Sequence, residues 1–193
     1  MRLRFALPDA VAELLAEACR AEALTIGVPM AVALADAEGG AQWFARMDGT
    51  LPASTELAMS KAYTAAALRM PTHELGLLAQ PGAALYGIQN SHGGRIVVFG
   101  GGFPLRLDGR VVGALGVSGG TVEEDMRVAA PALGLLAAME EKARLLPGLN
   151  GENLPPLAVP QVMRALRQAL AAYEDTPAGE LAAVLGGVAL ALT

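Results

Sequence analysis

The stretch that most limits what this chain can fold into is residues 95–120, RIVVFGGGFPLRLDGRVVGALGVSGG, where two β-branched apolar runs each end in clustered glycines. Residues 95–99 and 111–117 are short, rich in valine and isoleucine and bounded by turn residues, so both are expected as core strands. Between them Asp108-Gly109 is a tight-turn signal flanked by Arg106 and Arg110, which predicts a hairpin of residues 104–107 with 110–118. Gly100, Gly101, Gly102, Gly119 and Gly120 fall at the strand ends. Glycine there permits positive φ and lets backbone N–H groups approach a neighbour closely. Two readings stay open: tight turning with close packing, or a cradle of amides for an anion.

The flanking segments supply helices and a second hairpin. Val11, Leu14, Leu15 and Ala18 recur at helical spacing within residues 8–26, with Pro8 and Asp9 suited to a first turn. Residues 30–35 and 41–47 are strand-like arms around DAEGG, a β-hairpin in which either Trp43 or Phe44 is expected to face the core. A helix is predicted over 55–69 with Ser54 as its N-cap. Lys61 lies on it among apolar neighbours, where a lysine either pairs with a carboxylate and snorkels or presents its charge to a ligand. Pro71 breaks the helix, and Thr72 is expected to cap a short one through His73, Glu74, Leu75 and Leu78. Residues 80–94 form a Gly-rich connection with one helical turn at 83–88, the kind of segment that lines sites held by a rigid sheet. His73 and His92, the chain's two histidines, flank it, each readable as a surface residue or as a metal ligand. Thr121 and Glu124 form a capping box that starts a long helix, which Pro131 is expected to kink or divide.

Residues 146–160 carry four prolines and read as a linker; beyond it lie an amphipathic stretch at 161–173 and an apolar one at 181–192. The expected organisation is therefore a domain over 1–145 and a Pro-rich linker with a helical C-terminal extension over 146–193. At 193 residues this is one ordinary domain with an appendage.

Composition narrows the function. Hydrophobic residues are 53% of the chain but aromatics only 4%, so the core must be filled by small aliphatic groups. A net charge of −5 with no Lys/Arg cluster argues against nucleic acid as a partner. Cys19 is the one cysteine, which removes an intrachain disulfide and a thiolate metal site. No apolar run reaches the roughly 18–20 residues of a membrane span, and Asp9 and Glu13 interrupt any signal-peptide core, so a cytoplasmic protein without a membrane partner is expected. High hydropathy with 17% charged residues suggests that apolar surface is hidden by self-association.

Four segments in order, Arg46-Met47-Asp48-Gly49, Lys61-Ala62-Tyr63-Thr64-Ala65, Gly100-Gly101-Gly102-Phe103-Pro104-Leu105, and residues 113–120 with Asp125, resemble the GlcG/HbpS-like family, which includes the C-terminal domain of PduO. The resemblance covers about residues 8–145. It implies a profilin-like α/β/α layered fold with a five-stranded antiparallel sheet, and assembly from dimers up to octamers. Five strand-like runs are found here if 104–107 counts as one. Some relatives bind haem, and others accompany glycolate or propanediol metabolism; relatives commonly carry asparagine at the position of His92.

Two functions follow as expectations. One is an oligomer that binds haem or a related tetrapyrrole, with His73 or His92 at the metal and Arg46 or Lys61 pairing the propionates. Thr72, Gly101 and Gly102 are further candidate contacts to that cofactor. The other is a small-molecule enzyme or accessory subunit for a hydroxy acid or aldehyde, with Arg46 and Lys61 holding a carboxylate and a histidine as general acid or base. Neither a nucleophile elbow nor a P-loop nor a Cys/His zinc pattern specifies a reaction.

Overall fold

The computed structural model describes residues 7–145. The described residues up to Gly134 form one compact unit, and those from Leu135 belong to a second. The predicted linker and extension at 146–193 lie outside the described residues.

Helix α1, Asp9–Ile26, ends where Gly27 takes φ 70° and turns its N–H back onto the carbonyls of Ala23 and Leu24. Strands β1, Ala31–Asp36, and β2, Ala41–Arg46, follow as an antiparallel hairpin. The Asp36 carboxylate closes its turn by accepting the N–H groups of Glu38 and Gly40 at 2.9 and 2.8 Å. Helix α2, Pro52–Leu68, and short helix α3, Thr72–Leu78, lead through two 3₁₀ turns, Ile88–Asn90 and His92–Gly94, to strands β3, Gly102–Leu107, and β4, Arg110–Ser118. Asp108 and Gly109 both have positive φ, 48° and 72°, as a two-residue type I′ hairpin turn requires. Helix α4, Val122–Leu145, begins at the expected capping box: Thr121 N–H donates to Glu124 Oε2 at 2.8 Å and Glu124 N–H to Thr121 Oγ1 at 3.2 Å.

The sheet has four antiparallel strands in the order β2-β1-β4-β3, not the five expected. The segment that fails to become a strand is 95–99. Its apolar residues Ile96 and Val97 are buried as expected, but its backbone pairs with a helix: Val97 N–H donates to Thr64 Oγ1 at 3.0 Å. A β-branched run bounded by glycines is equally suited to lie extended across a helix surface, because burial, not a ladder, is what its side chains demand. Three local assignments also shift. Helix α2 starts three residues earlier than predicted, with Pro52 at its first position, so Ser54 is buried within it and caps nothing. Thr72 is the first residue of α3 rather than its cap, and its hydroxyl turns to Gly102. Pro131 is accommodated inside one continuous α4. The turn expected at 83–88 is present, closed by the Tyr86 N–H to the Ala83 carbonyl at 3.1 Å and the Ile88 N–H to the Leu85 carbonyl at 3.0 Å, and it runs into the 3₁₀ turn at Ile88–Asn90. Among the described residues no helix is long and apolar enough to cross a membrane.

Helix α2 packs on β4, β1 and β3 through very small side chains. Ala58 and Ala62 meet Ala31, Ala33 and Ala35 of β1, and Ala65 and Ala66 meet Ala114 of β4. The β1 residues are the odd positions of the strand, so they share one face. Val32 and Leu34 point to the other face with their partners Val117 and Leu115, and all four are buried. Neither aromatic of β2 is buried, because β2 is an edge strand: Trp43 is half-buried and Phe44 is 39% exposed. This corrects the expectation that one of them fills the core. The small residues let the helix and strand backbones come so close that a Cβ on Gly116 would collide with the Ala58 carbonyl.

Gly116→Ala is therefore expected to lower unfolding free energy by about 2 kcal/mol or more, since helix α2 must lift from the sheet. Gly134→Ala, at an exposed helical site with open space around it, is expected to raise it by about 0.5–1 kcal/mol. Urea denaturation of both variants checks the pair; equal effects would mean that backbone approach at Gly116 is not limiting.

Candidate functional site

Lys61 is the largest fully buried side chain in the described structure. Its ammonium donates to Asp125 Oδ2 at 2.5 Å and to the Val117 carbonyl at 2.9 Å, and it lies 5.0 Å from the centre of the Phe99 ring. Asp125, only 4% exposed, accepts the Gly120 N–H at its other oxygen, 3.2 Å away. The pair thus ties the middle of α2 to the end of β4 and the first turn of α4. Burial pulls the Lys61 ammonium below the usual lysine range, and the Asp125 charge offsets part of that. Burial likewise pushes the Asp125 carboxyl up, against the opposing pull of Lys61. Desolvation outweighs attraction for both partners, and each charged form is supported by the other together with the Val117 carbonyl on the lysine side and the Gly120 N–H on the aspartate side.

The glycines make room for this pair. At Gly101, φ 108°, a Cβ would stand 2.8 Å from Lys61 Nζ and 2.6 Å from the Val117 carbonyl. At Gly102 it would stand 2.6 Å from both the Lys61 carbonyl and Thr72 Cγ2. The Gly102 N–H donates to Thr72 Oγ1 at 2.9 Å. These contacts match the packing reading of the glycine cluster, with the Gly102 amide engaged inside the protein.

The two histidines sit in different surroundings. His73, in the first turn of α3, packs its ring against Phe103 with centroids 5.7 Å apart, and its Nδ1 is buried without a hydrogen-bond partner. His92 is exposed, with Nδ1 3.0 Å from Ser91 Oγ and its ring 6.2 Å from that of Tyr63. Its φ of 54° lies in the left-handed region, which histidine is among the side chains to tolerate. Arg46 is exposed at the end of β2, one edge of the sheet, whereas His73 packs on β3, the other edge. The fold therefore brings together Lys61, Thr72, Gly101 and Gly102, with His73 adjoining them through Thr72 and Phe103, and leaves Arg46 and His92 outside that set of contacts. No group of three or more His, Cys, Asp or Glu poised for a metal occurs among the described residues.

Residues that sequence pattern left unassigned complete the picture. Asp125 entered the sequence reading only as the last residue of a family-like segment; its role follows once Lys61 is known to be buried and in need of a counter-charge. Tyr63 and Arg95 are adjacent in space, the guanidinium lying 3.9 Å from the ring centroid. A shallow cleft of about 20 Å³ opens beside them, lined by Phe44, Trp43, Met59, Ala62, Gly39 and Arg95. It admits about one water- or methyl-sized group, such as the end of a chain lying along it, and has no room for a porphyrin.

Comparison with known proteins places these features. The family described as Haem degrading protein HbpS-like matches residues 7–134. A 15.0 kDa protein from the dhaT–dhaS intergenic region of Citrobacter freundii is 48% identical over 124 residues, 64% of this chain and 87% of that protein. The corrinoid adenosyltransferase PduO of Salmonella typhimurium is 48% identical over 106 residues, 55% of this chain but only 32% of PduO, so the chain spans about a third of that relative. A crystal structure of a PduOC–haem complex superposes with a TM-score of 0.65 at 43% identity, covering 67% of this chain and 94% of the other.

Removing one partner of a buried ion pair strands the other's charge. Lys61→Met alone is expected to cost about 3–5 kcal/mol, while the double variant Lys61→Met/Asp125→Leu recovers most of that loss. Thermal and urea unfolding of the single and double variants checks this; a single variant as stable as the parent would contradict the pairing.

Proposed function

The chain belongs to the HbpS-like family, and from that premise we propose that it binds haem or a related tetrapyrrole as a homo-oligomer, with His73 as the residue that would hold the metal. The observation that carries the assignment is the orphaned Nδ1 of His73: a buried polar nitrogen without a partner is costly, and ligation of a metal by this imidazole would relieve that cost. One helical turn further on the same face of α3, Leu77 is 72% exposed, and Phe103 flanks the imidazole. The donor set and the apolar surroundings suit a flat, largely apolar ligand on the outside of the unit. Bound haem would supply an iron centre able to change oxidation state; the chain's part would be to hold that iron through His73 and to offer apolar contact through Phe103 and Leu77.

Lys61 is absent from this assignment because its ammonium is committed to Asp125 and the Val117 carbonyl. Arg46 is absent because the sheet puts it on the edge away from His73. Self-association is supported by apolar side chains left in solvent: Leu77, Leu78, Leu85 and Tyr86 lie on α3 and the loop after it, where Leu85 N–H bonds the Leu78 carbonyl. The profilin-like layering belongs to the same reading and is supported by the burial of β1 on both faces.

Haemin titration tests the proposal. The parent and His92→Ala are expected to give the same shifted Soret band, and His73→Ala to bind at least tenfold more weakly. Titration of His73→Ala like the parent would overturn the ligand assignment, and an unshifted Soret band in the parent would overturn haem binding itself.

A further inference from the structure

We propose that Arg95, held flat on Tyr63, is the anchor of a second site, one that takes a carboxylate carried on a short apolar chain. The inference rests on how Arg95 is built into the fold, and it stands independently of the haem reading.

Three successive residues with positive φ, His92 at 54°, Gly93 at 67° and Gly94 at 81°, turn the chain sharply just before Arg95. The segment is then pinned to α2 through Thr64, whose Oγ1 accepts the Val97 N–H at 3.0 Å and reaches the Arg95 carbonyl at 3.4 Å. Tyr63 is the preceding residue on that helix, and its ring receives the Arg95 guanidinium at 3.9 Å. Backbone and side chain are thus fixed to consecutive residues of one rigid element. Gly39 keeps the ring in place from the hairpin side, since a Cβ there would stand 2.8 Å from Tyr63 Cδ2. A guanidinium held over a ring has lost much of its rotamer freedom, and its planar fork of N–H donors suits bidentate binding of a carboxylate.

The surroundings decide what kind of anion fits. Arg95 is exposed, and among the described residues no carboxylate lies within ion-pair distance of it. The rest of the cleft is apolar, formed by Phe44, Met59 and Ala62 with Trp43. One cation at the rim of a small apolar cleft selects an anion with an apolar tail over a phosphate or a dianion. The carboxylate can come from a free short-chain acid or from the propionate arm of a tetrapyrrole whose ring lies outside the cleft.

Trp43, the one tryptophan of the chain, lines the cleft and reports on it directly. Titration of the full chain with butyrate is expected to change Trp43 emission with a dissociation constant on the order of 1 mM. Butyramide, the neutral isostere, is expected to leave emission unchanged. Arg95→Gln should weaken butyrate binding at least tenfold, and Tyr63→Leu should weaken it severalfold by releasing the guanidinium; circular dichroism confirms that each variant is folded. Haemin titration of Arg95→Gln separates the two sources. Unaltered haemin affinity with lost butyrate binding identifies a free acid, and loss of both identifies the propionate; either result supports the site. A butyrate response absent in the parent, matched by butyramide, or retained in Arg95→Gln would overturn it.

Discussion

The buried pair of Lys61 and Asp125 is the constraint on which the rest of this structure depends. A lone ammonium or carboxylate in this core would cost several kcal/mol, so neither residue tolerates the interior without the other. Their contact joins three elements that are far apart in the chain: the middle of α2, the end of β4 through the Val117 carbonyl, and the first turn of α4. The glycines around residues 100–102 follow from this. Side chains there would occupy the space that the ammonium, the Val117 carbonyl and Thr72 already fill.

The same economy of space governs the helix–sheet interface. Alanines of α2 face alanines of β1 and β4, and Gly116 removes the last obstacle, so the core is thin and its contacts are made close to the backbone. Close approach replaces the large apolar side chains that a composition this poor in aromatics lacks. It also leaves the larger apolar residues on the outside, where Phe44, Leu77, Tyr86 and Phe99 are exposed. Ligand and subunit contacts then have apolar surface to use.

Local rules made much of the fold legible. The DG dipeptide of the second hairpin, the Asp36 turn of the first, the capping box of α4 and the period of α1 each act over a few residues and are realised as expected. What pattern could not resolve depended on partners distant in sequence. Residues 95–99 have the side chains of a strand, yet Thr64, more than 30 positions away, offers a hydroxyl where a strand would need a ladder. Thr72 has the chemistry of a cap, yet the Gly102 amide competes for its oxygen and wins. Lys61 was readable as a charge among apolar neighbours, with structural and ligand roles both open. Only the fold shows Asp125 beside it, 64 residues on. The Tyr63–Arg95 stack is of the same kind, invisible until the loop before Arg95 is folded.

Locking Lys61 into the core changes which side chains are free to meet a ligand. The imidazole of His73 and the guanidinium of Arg95 remain at the surface of the unit, while the most prominent charge of α2 is structural. The most direct test is the side-chain nitrogen spectrum of protein labelled with ¹⁵N-lysine, in which Lys61 is one of two lysines. The Lys61 Nζ resonance is expected to show slow proton exchange with solvent and to stay in place when haemin is added. Exchange at the rate of a solvated amine, or a shift of that resonance on haemin binding, would contradict the account.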